Sequence, residues 1–309
     1  MIQAQHLYKS FGNLKAVNDI SFEVHPGEVV GFLGPNGAGK STTMKMLAGF
    51  LAPNQGEVLI NGFSIAADPK QAKAQLGYLP ESAASYKTQT VTEFLQFVAG
   101  LRGFSGKQRA DSLEKVLHTT QLTSVRNKPI GNLSKGFRQR VGFAQALIHD
   151  PPVLILDEPT DGLDPNQKHE VRRLIRSMAK HKAILLSTHI LEEMEAVCDR
   201  VILINQGEVV ISATPAELLS RSKTHGAVEL HLSEPLSPEQ AEQLRKLSGV
   251  TELRTTGTNQ LQVYAEPGAK ILSAVHRQLT QWGVEPEELF VLKGRLDEVF
   301  RGLTTEEPS

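Results

Sequence analysis

The sequence predicts an α/β fold: a nucleotide-binding core built on a largely parallel sheet, followed by a small α+β domain. Three observations carry that expectation. A glycine-rich phosphate-binding loop at residues 34–42 stands between a β-like run and a helix. Apolar runs at 153–156, 183–186 and 201–204 alternate with helical stretches. From about residue 226 the pattern restarts with no phosphate or catalytic motif. At 309 residues the chain accommodates one large domain and one smaller one.

Between residues 3 and 61, short β-like runs at 20–24, 28–33 and 57–60 are punctuated by Pro26-Gly27, Pro53-Asn54 and Asn61-Gly62, pairs that favour turns. One helix, at 40–48, interrupts them. From 90 to 150 apolar residues recur at helical spacing (Val91, Phe94, Leu95, Val98, then Leu113, Val116, Leu117), which predicts a helical insertion. The three apolar runs beyond it then read as strands of a sheet buried on both faces. A charged, helix-prone stretch at 215–226 is the expected domain boundary. Beyond it a βαββαβα order is predicted, with strands at 228–232, 250–254, 260–264 and 289–292 and helices at 238–247, 268–282 and 296–303. Trp282 and Phe290 are expected in the core of this domain.

Composition excludes several classes. With 33 Lys and Arg against 34 Asp and Glu, the formal charge is −1, so no global field draws the chain to nucleic acid or an anionic bilayer. The single cysteine, Cys198, forms no internal disulfide and is expected to be a small buried residue in a reducing compartment. The N-terminal stretch lacks the pattern of a secretory signal, and no apolar run among those above approaches the roughly 20 residues that cross a bilayer.

The strongest chemical signal is Gly34-Pro35-Asn36-Gly37-Ala38-Gly39-Lys40-Ser41-Thr42. Its glycines let backbone N–H groups turn toward a phosphate, Lys40 neutralises β- and γ-oxygens, and Ser41 offers a hydroxyl to Mg²⁺. The strand at 153–156 ends in Asp157 and Glu158, at the carboxyl edge where open α/β sheets bind ligands. Such a pair ordinarily marks a strand running into solvent. Downstream of a phosphate loop it reads instead as a water-mediated Mg²⁺ support (Asp157) and a general base (Glu158), alternation along the strand sending the two carboxylates to opposite faces. His189 comes just after the next strand and is a candidate to contact the γ-phosphate and hold the attacking water or Glu158. Ser134 is a good N-cap for the helix beginning Lys135-Gly136-Phe137, and that helix start is a second candidate anion site.

The order of these motifs resembles the nucleotide-binding subunit of ATP-binding-cassette (ABC) transporters over residues 1 to about 215. The resemblance implies a RecA-like core with an antiparallel β subdomain and a helical subdomain at about 88–150, the whole cassette occupying 1–217 and an accessory domain 226–303. It implies ATP and Mg²⁺ as cofactors, with Phe11 stacking on adenine and Val17 carried with it as a nucleotide contact. Glu81 takes the place of the family's Q-loop glutamine and joins Ser41 and Asp157 as a candidate metal contact. Ser134, Lys135 and Gly136 stand in the signature that closes over ATP bound by another protomer, and Asp164 in the loop that crosses the dimer interface. One phosphate loop per chain implies a homodimer, or pairing with a paralogous cassette, around two ATP molecules. It further implies ABC transmembrane permease subunits as partners, contacted near 78–86 and 91–97, and a peripheral place on the cytoplasmic face of the inner membrane.

Glu81, Lys135 and Phe137 depart from the commonest family residues, glutamine, glycine and glutamine. Lys135, facing the phosphates from the other side, is expected to offset the charge of Glu81. These variants, with the Leu296-Asp297-Glu298-Val299-Phe300 helix, resemble the ABC-2 exporter branch, including gliding-motility type ATPases. The alternative is a soluble ABC-type ATPase doing mechanical or regulatory work without transport; such chains usually bring two cassettes, a long coiled coil or a basic patch, and none of these is visible here.

Overall fold

In the computed structural model, residues 1–81 and 86–305 are described, and they divide into two units, Met1–Thr214 and Pro215–Ser309. The first begins with β1 (Ile2–Phe11) and β2 (Leu14–Val24), then β3 (Val29–Leu33), α1 (Lys40–Leu47), β4 (Gln55–Ile60), β5 (Phe63–Ser64), α2 (Pro69–Ala74) and β6 (Leu76–Leu79). Helices α3 (Val91–Leu101), α4 (Gly106–Thr119) and α5 (Lys135–Leu147) make the helical insertion. The unit closes with β7 (Val153–Asp157), α6 (Pro165–Ala179), β8 (Ala183–Ser187), α7 (Leu191–Val197), β9 (Arg200–Asn205) and β10 (Glu208–Ala213).

Two sheets result. An antiparallel one runs β2-β1-β4-β5; a six-stranded one runs β10-β9-β3-β8-β7-β6 and is parallel except at β10. Every residue of β3, β7 and β8 is buried, as strands covered on both faces must be. Phe22, Phe32, Met44, Leu47, Ile155 and Leu185 belong to the core that joins α1 and the two sheets. The antiparallel sheet exceeds the β-like runs legible in the sequence: β1 extends to ten residues, with register shifts against β2 and a left-handed His6 that hide its alternation. Cys198, just past α7, is buried against β3, close enough that a Cβ at Gly31 would lie 2.7 Å from its sulfur. Burial pushes its thiol up to about 12. No helix among the described residues is long and apolar enough to cross a membrane.

The helical insertion meets the parallel sheet at a tight crossing. A Cβ on Gly77 of β6 would stand 2.3 Å from the Ala146 carbonyl of α5 and 2.7 Å from Leu154. Gly77→Ala is therefore expected to lower stability by about 1–3 kcal/mol through overpacking, read as an earlier urea midpoint; an unshifted midpoint would show that the contact is slack.

The same corner sets an acid limit. His149 donates from Nε2 to the Leu76 carbonyl at 3.1 Å, and burial first, then the charge of Arg102, pull its pKa from 6.5 to about 4. Lys115 and Lys182 hold the neighbouring Asp150 at about 2 against an ordinary 3.8. In both cases the unfolded chain binds protons that the native state refuses, so stability falls with falling pH. The window runs from 6.5 to about 4 for His149 and from 3.8 to about 2 for Asp150. The urea midpoint is expected to drop between the two ends of the His149 window, and His149→Gln to flatten that slope; an unchanged slope removes His149 as its source.

The second unit carries α8 (Pro215–Leu219), β11 (Val228–Leu232), α9 (Pro238–Arg245), β12 (Val250–Gly257), β13 (Gln260–Ala265), α10 (Leu272–Trp282), β14 (Pro286–Val291) and α11 (Leu296–Thr305). Its antiparallel sheet runs β12-β13-β11-β14 over a core that includes Leu230, Val263, Val275 and Leu279. Trp282 packs against that core, but Phe290 does not: it is 40% exposed and meets His231 edge-on at 5.9 Å. Its neighbour in β14, Leu289, packs against the core instead.

Candidate nucleotide-binding site

The phosphate loop joins β3, an inner strand of the parallel sheet, to α1. Gly39 has φ 102° and a Cβ there would meet the Ala16 carbonyl at 2.4 Å; at Gly34 the Ile204 carbonyl lies at 2.3 Å. Neither position has space for a side chain, so β2 and β9 clamp the loop from outside. Lys40 is buried and donates to the Gly34 and Pro35 carbonyls at 2.6 and 3.0 Å. Burial pulls its ammonium below the ordinary lysine value, while Glu158 and Asp157 push it back up. Thr43 donates to the Gly39 carbonyl and locks the first turn of α1. Asn36, Gly37 and Ser41 are exposed, Pro35 and Thr42 half-buried, and Ala38 buried, with its carbonyl accepting from Gly207 N–H.

β8 pairs with β3 on one side and β7 on the other, so the residues just past the ends of these strands share one sheet edge with the loop. Asp157 is 3% exposed and pairs in register with Ser187. The Ser187 hydroxyl donates to Asp157 Oδ1 at 2.5 Å and accepts from the Glu158 backbone N–H at 3.0 Å. Glu158 does not continue the strand: its φ of 48° is left-handed. That corrects the simple alternation expected from the sequence, because the chain leaves β7 at this residue and the Ser187 hydroxyl secures the turn. The Glu158 carboxylate consequently meets His189 Nδ1 at 3.0 Å. Burial, with Asp157 and Glu81 behind it, pushes the nearby Tyr78 phenol up to about 12.

Other expected contacts fall at varying distance from this centre. Phe11 is 49% exposed with the Lys9 ammonium 5.6 Å from its ring, whereas Val17 is 1% exposed and its side chain belongs to the core. Alternation along β2 turns Val17 inward and leaves its backbone against the turn between β9 and β10, where Val17 Cα lies 3.2 Å from the Cβ position of Gly207. Glu81 is exposed just beyond β6; residues 82–85 of the segment expected to meet a permease lie outside the described residues.

Ser134 caps α5, accepting from Phe137 N–H, and Gly136 is buried where a Cβ would stand 2.5 Å from the Gln167 side chain. Lys135 reaches Asp161 Oδ2 at 3.2 Å in its own chain. Within one chain that acid is its partner. Asp164 caps α6 by accepting from Gln167 N–H at 2.9 Å. Ser187, which bonds both Asp157 and the Glu158 backbone, is a residue of this edge that sequence reasoning misses; its one signal there is its place in the Ser187-Thr188-His189 triplet.

A phosphate loop on an inner strand, with a histidine past the end of the next strand and an acid pair at the end of the one after it, defines a P-loop nucleoside triphosphatase. Comparison with known proteins is more specific. The family model described as ABC transporter matches residues 17–161. The ABC transporter ATP-binding protein YxlF of Bacillus subtilis (strain 168) is 40% identical over 73% of this chain and 75% of its own. The Nod factor export ATP-binding protein I of Cupriavidus metallidurans (strain ATCC 43123 / DSM 2839 / NBRC 102507 / CH34) is 34% identical over 89% and 90%. A solved ATP-binding subunit of an ABC transporter superposes with a TM-score of 0.65 at 32% identity, over 71% of this chain and 91% of that one. The chain belongs to the ATP-binding proteins of ABC transporters, and it is an ATPase.

Proposed function

We propose that the chain is the motor of an ABC-2-type exporter, hydrolysing ATP held between two cassettes. The observation that carries this reading is the contact between Glu158 and His189, just past the ends of β7 and β8, the second of which pairs with the phosphate-loop strand. Glu158 would take the proton of the attacking water, and His189 holds that carboxylate in one orientation. Lys40 and the loop amides bind the phosphates, and Phe11 offers an exposed ring for the base. Ser41 and Asp157 would hold Mg²⁺, with Glu81 as a third candidate: a hydroxyl and a carboxylate are the hard oxygen donors that Mg²⁺ shares with nucleotide phosphates. Bound there, the ion would neutralise charge on the phosphates. Ser134, Lys135 and Gly136 would close over ATP on a second chain, a homodimer being the simplest case and a paralogous cassette the other.

Export is the work named for the Cupriavidus relative. Docking of separate permease subunits is supported by apolar side chains left exposed: Phe50 and Leu101, each 72% exposed, with Tyr86 and Phe97 in edge contact at 5.9 Å. Such docking would set the chain on the cytoplasmic face of the inner membrane. Light scattering on Glu158→Gln, with and without Mg-ATP, tests the sandwich. A doubling of mass that needs ATP and is lost in Ser134→Arg is the expected result; a monomer under both conditions, with and without solubilised permease, would favour a cassette that works without closing on a second one.

A further inference from the structure

Glu193, on α7, is 3% exposed, and the roles assigned above give it nothing to do. A buried carboxylate is costly unless it is paired and hydrogen-bonded, so its partners show what it is for. Its Oε2 accepts from two hydroxyls, Thr160 and, at 3.1 Å, Thr188. Its Oε1 faces Lys168 Nζ at 3.2 Å and Arg172 Nη2 at 3.8 Å, both on α6. Thr160 lies two residues after Glu158 and immediately before Asp161, and Thr188 immediately before His189. The Thr188 hydroxyl also accepts from Ile190 N–H at 3.1 Å, fixing the backbone on the far side of His189.

The segments leaving β7 and β8 are therefore joined twice. The outer joint is Glu158 to His189; the inner one is Thr160 to Glu193 to Thr188. We propose that Glu193 is a positioning residue for hydrolysis, a buried carboxylate that ties the Thr160 segment to Thr188-His189 and so keeps His189 aimed at Glu158. This rests on the Glu158–His189 pair being the hydrolytic centre. Thr160 opens the loop that ends at Asp164, so a partner pressing on that loop moves the hydroxyl seated on Glu193. The carboxylate then passes the displacement to the histidine on the next strand. Lys168 and Arg172 anchor it to α6, whose first turn Asp164 caps.

Glu193→Ala is expected to lower kcat for ATP by about 10- to 100-fold with KM nearly unchanged, because misaimed groups slow chemistry without weakening phosphate binding. Glu193→Gln, whose amide oxygen still accepts from both threonines, is expected to recover most of that loss. Thr160→Val and Thr188→Val should each slow turnover, and together cost less than the product of their separate effects. Equal rates in Glu193→Ala and the parent, a KM that rises in step with the fall in kcat, or a glutamine variant as slow as the alanine one would overturn the proposal. Where the alanine variant melts too early to assay, the threonine pair decides: multiplicative effects overturn the coupling and sub-multiplicative ones sustain it. Glu158→Gln and His189→Ala run alongside. If both turn over like the parent, the hydrolytic centre itself is misplaced; if both are slow and Glu193→Ala is not, only the positioning role fails.

Discussion

Glu158→Gln should slow phosphate release from ATP by about 100- to 10,000-fold while ATP binding stays near that of the parent. The amide keeps the size of the carboxylate and can still meet His189, but it cannot take a proton from water. The placement is what makes the effect large. The left-handed backbone at 158, secured by the Ser187 hydroxyl, and the 3.0 Å contact with His189 Nδ1 hold one carboxylate in one orientation. His189→Ala removes the second constraint, and the double variant should be little slower than either single one, since residues acting as a unit do not add. Single-turnover release with bound nucleotide quantified separately measures both quantities. A fall of less than about tenfold would mean that the proton leaves by another route.

Lys40→Ala should act on binding. The ammonium is buried within its loop, held by the Gly34 and Pro35 carbonyls. Truncating a desolvated charged partner costs about 2–5 kcal/mol, which is roughly 30- to 5,000-fold in ATP affinity. Lys40→Arg should rescue little, because a planar fork does not reproduce a compact ammonium held by the Gly34 and Pro35 carbonyls. Calorimetric titration with ATP decides it: affinity within about threefold of the parent would place the phosphates elsewhere.

The parts of this site legible from sequence are those whose chemistry is local. The phosphate loop is one contiguous string whose glycines answer to backbone constraints, and Gly34 and Gly39 show those constraints as contacts of 2.3 and 2.4 Å. Asp157, Glu158 and His189 are legible because each ends an apolar run, and strand ends collect at one sheet edge. Whatever depends on tertiary neighbours is hidden. Glu193 sits in Leu191-Glu192-Glu193-Met194-Glu195, where three acids look alike and only packing shows that one is buried. Ser187 and Thr160 are hydroxyls like any others until β7 and β8 pair. Charge alone suggests acids for Lys135 but not which one its own chain brings near, and Asp161 stands 3.2 Å away. The second unit is readable as alternating elements, since turn residues and period carry that information, while Phe290 reads as core and is not, because β14 turns it to the open face of its sheet.

The backbone at Glu158 works as a small set spring. A non-glycine residue held at φ 48° carries roughly 1–3 kcal/mol of strain, which the pairing of β7 with β8 and the Ser187 hydroxyl must outweigh. Fold stability and turnover thus pull on one position in opposite directions. A lineage of this chain released from the demand to hydrolyse ATP would drift there first, toward glycine or asparagine, and would grow hardier as it fell silent.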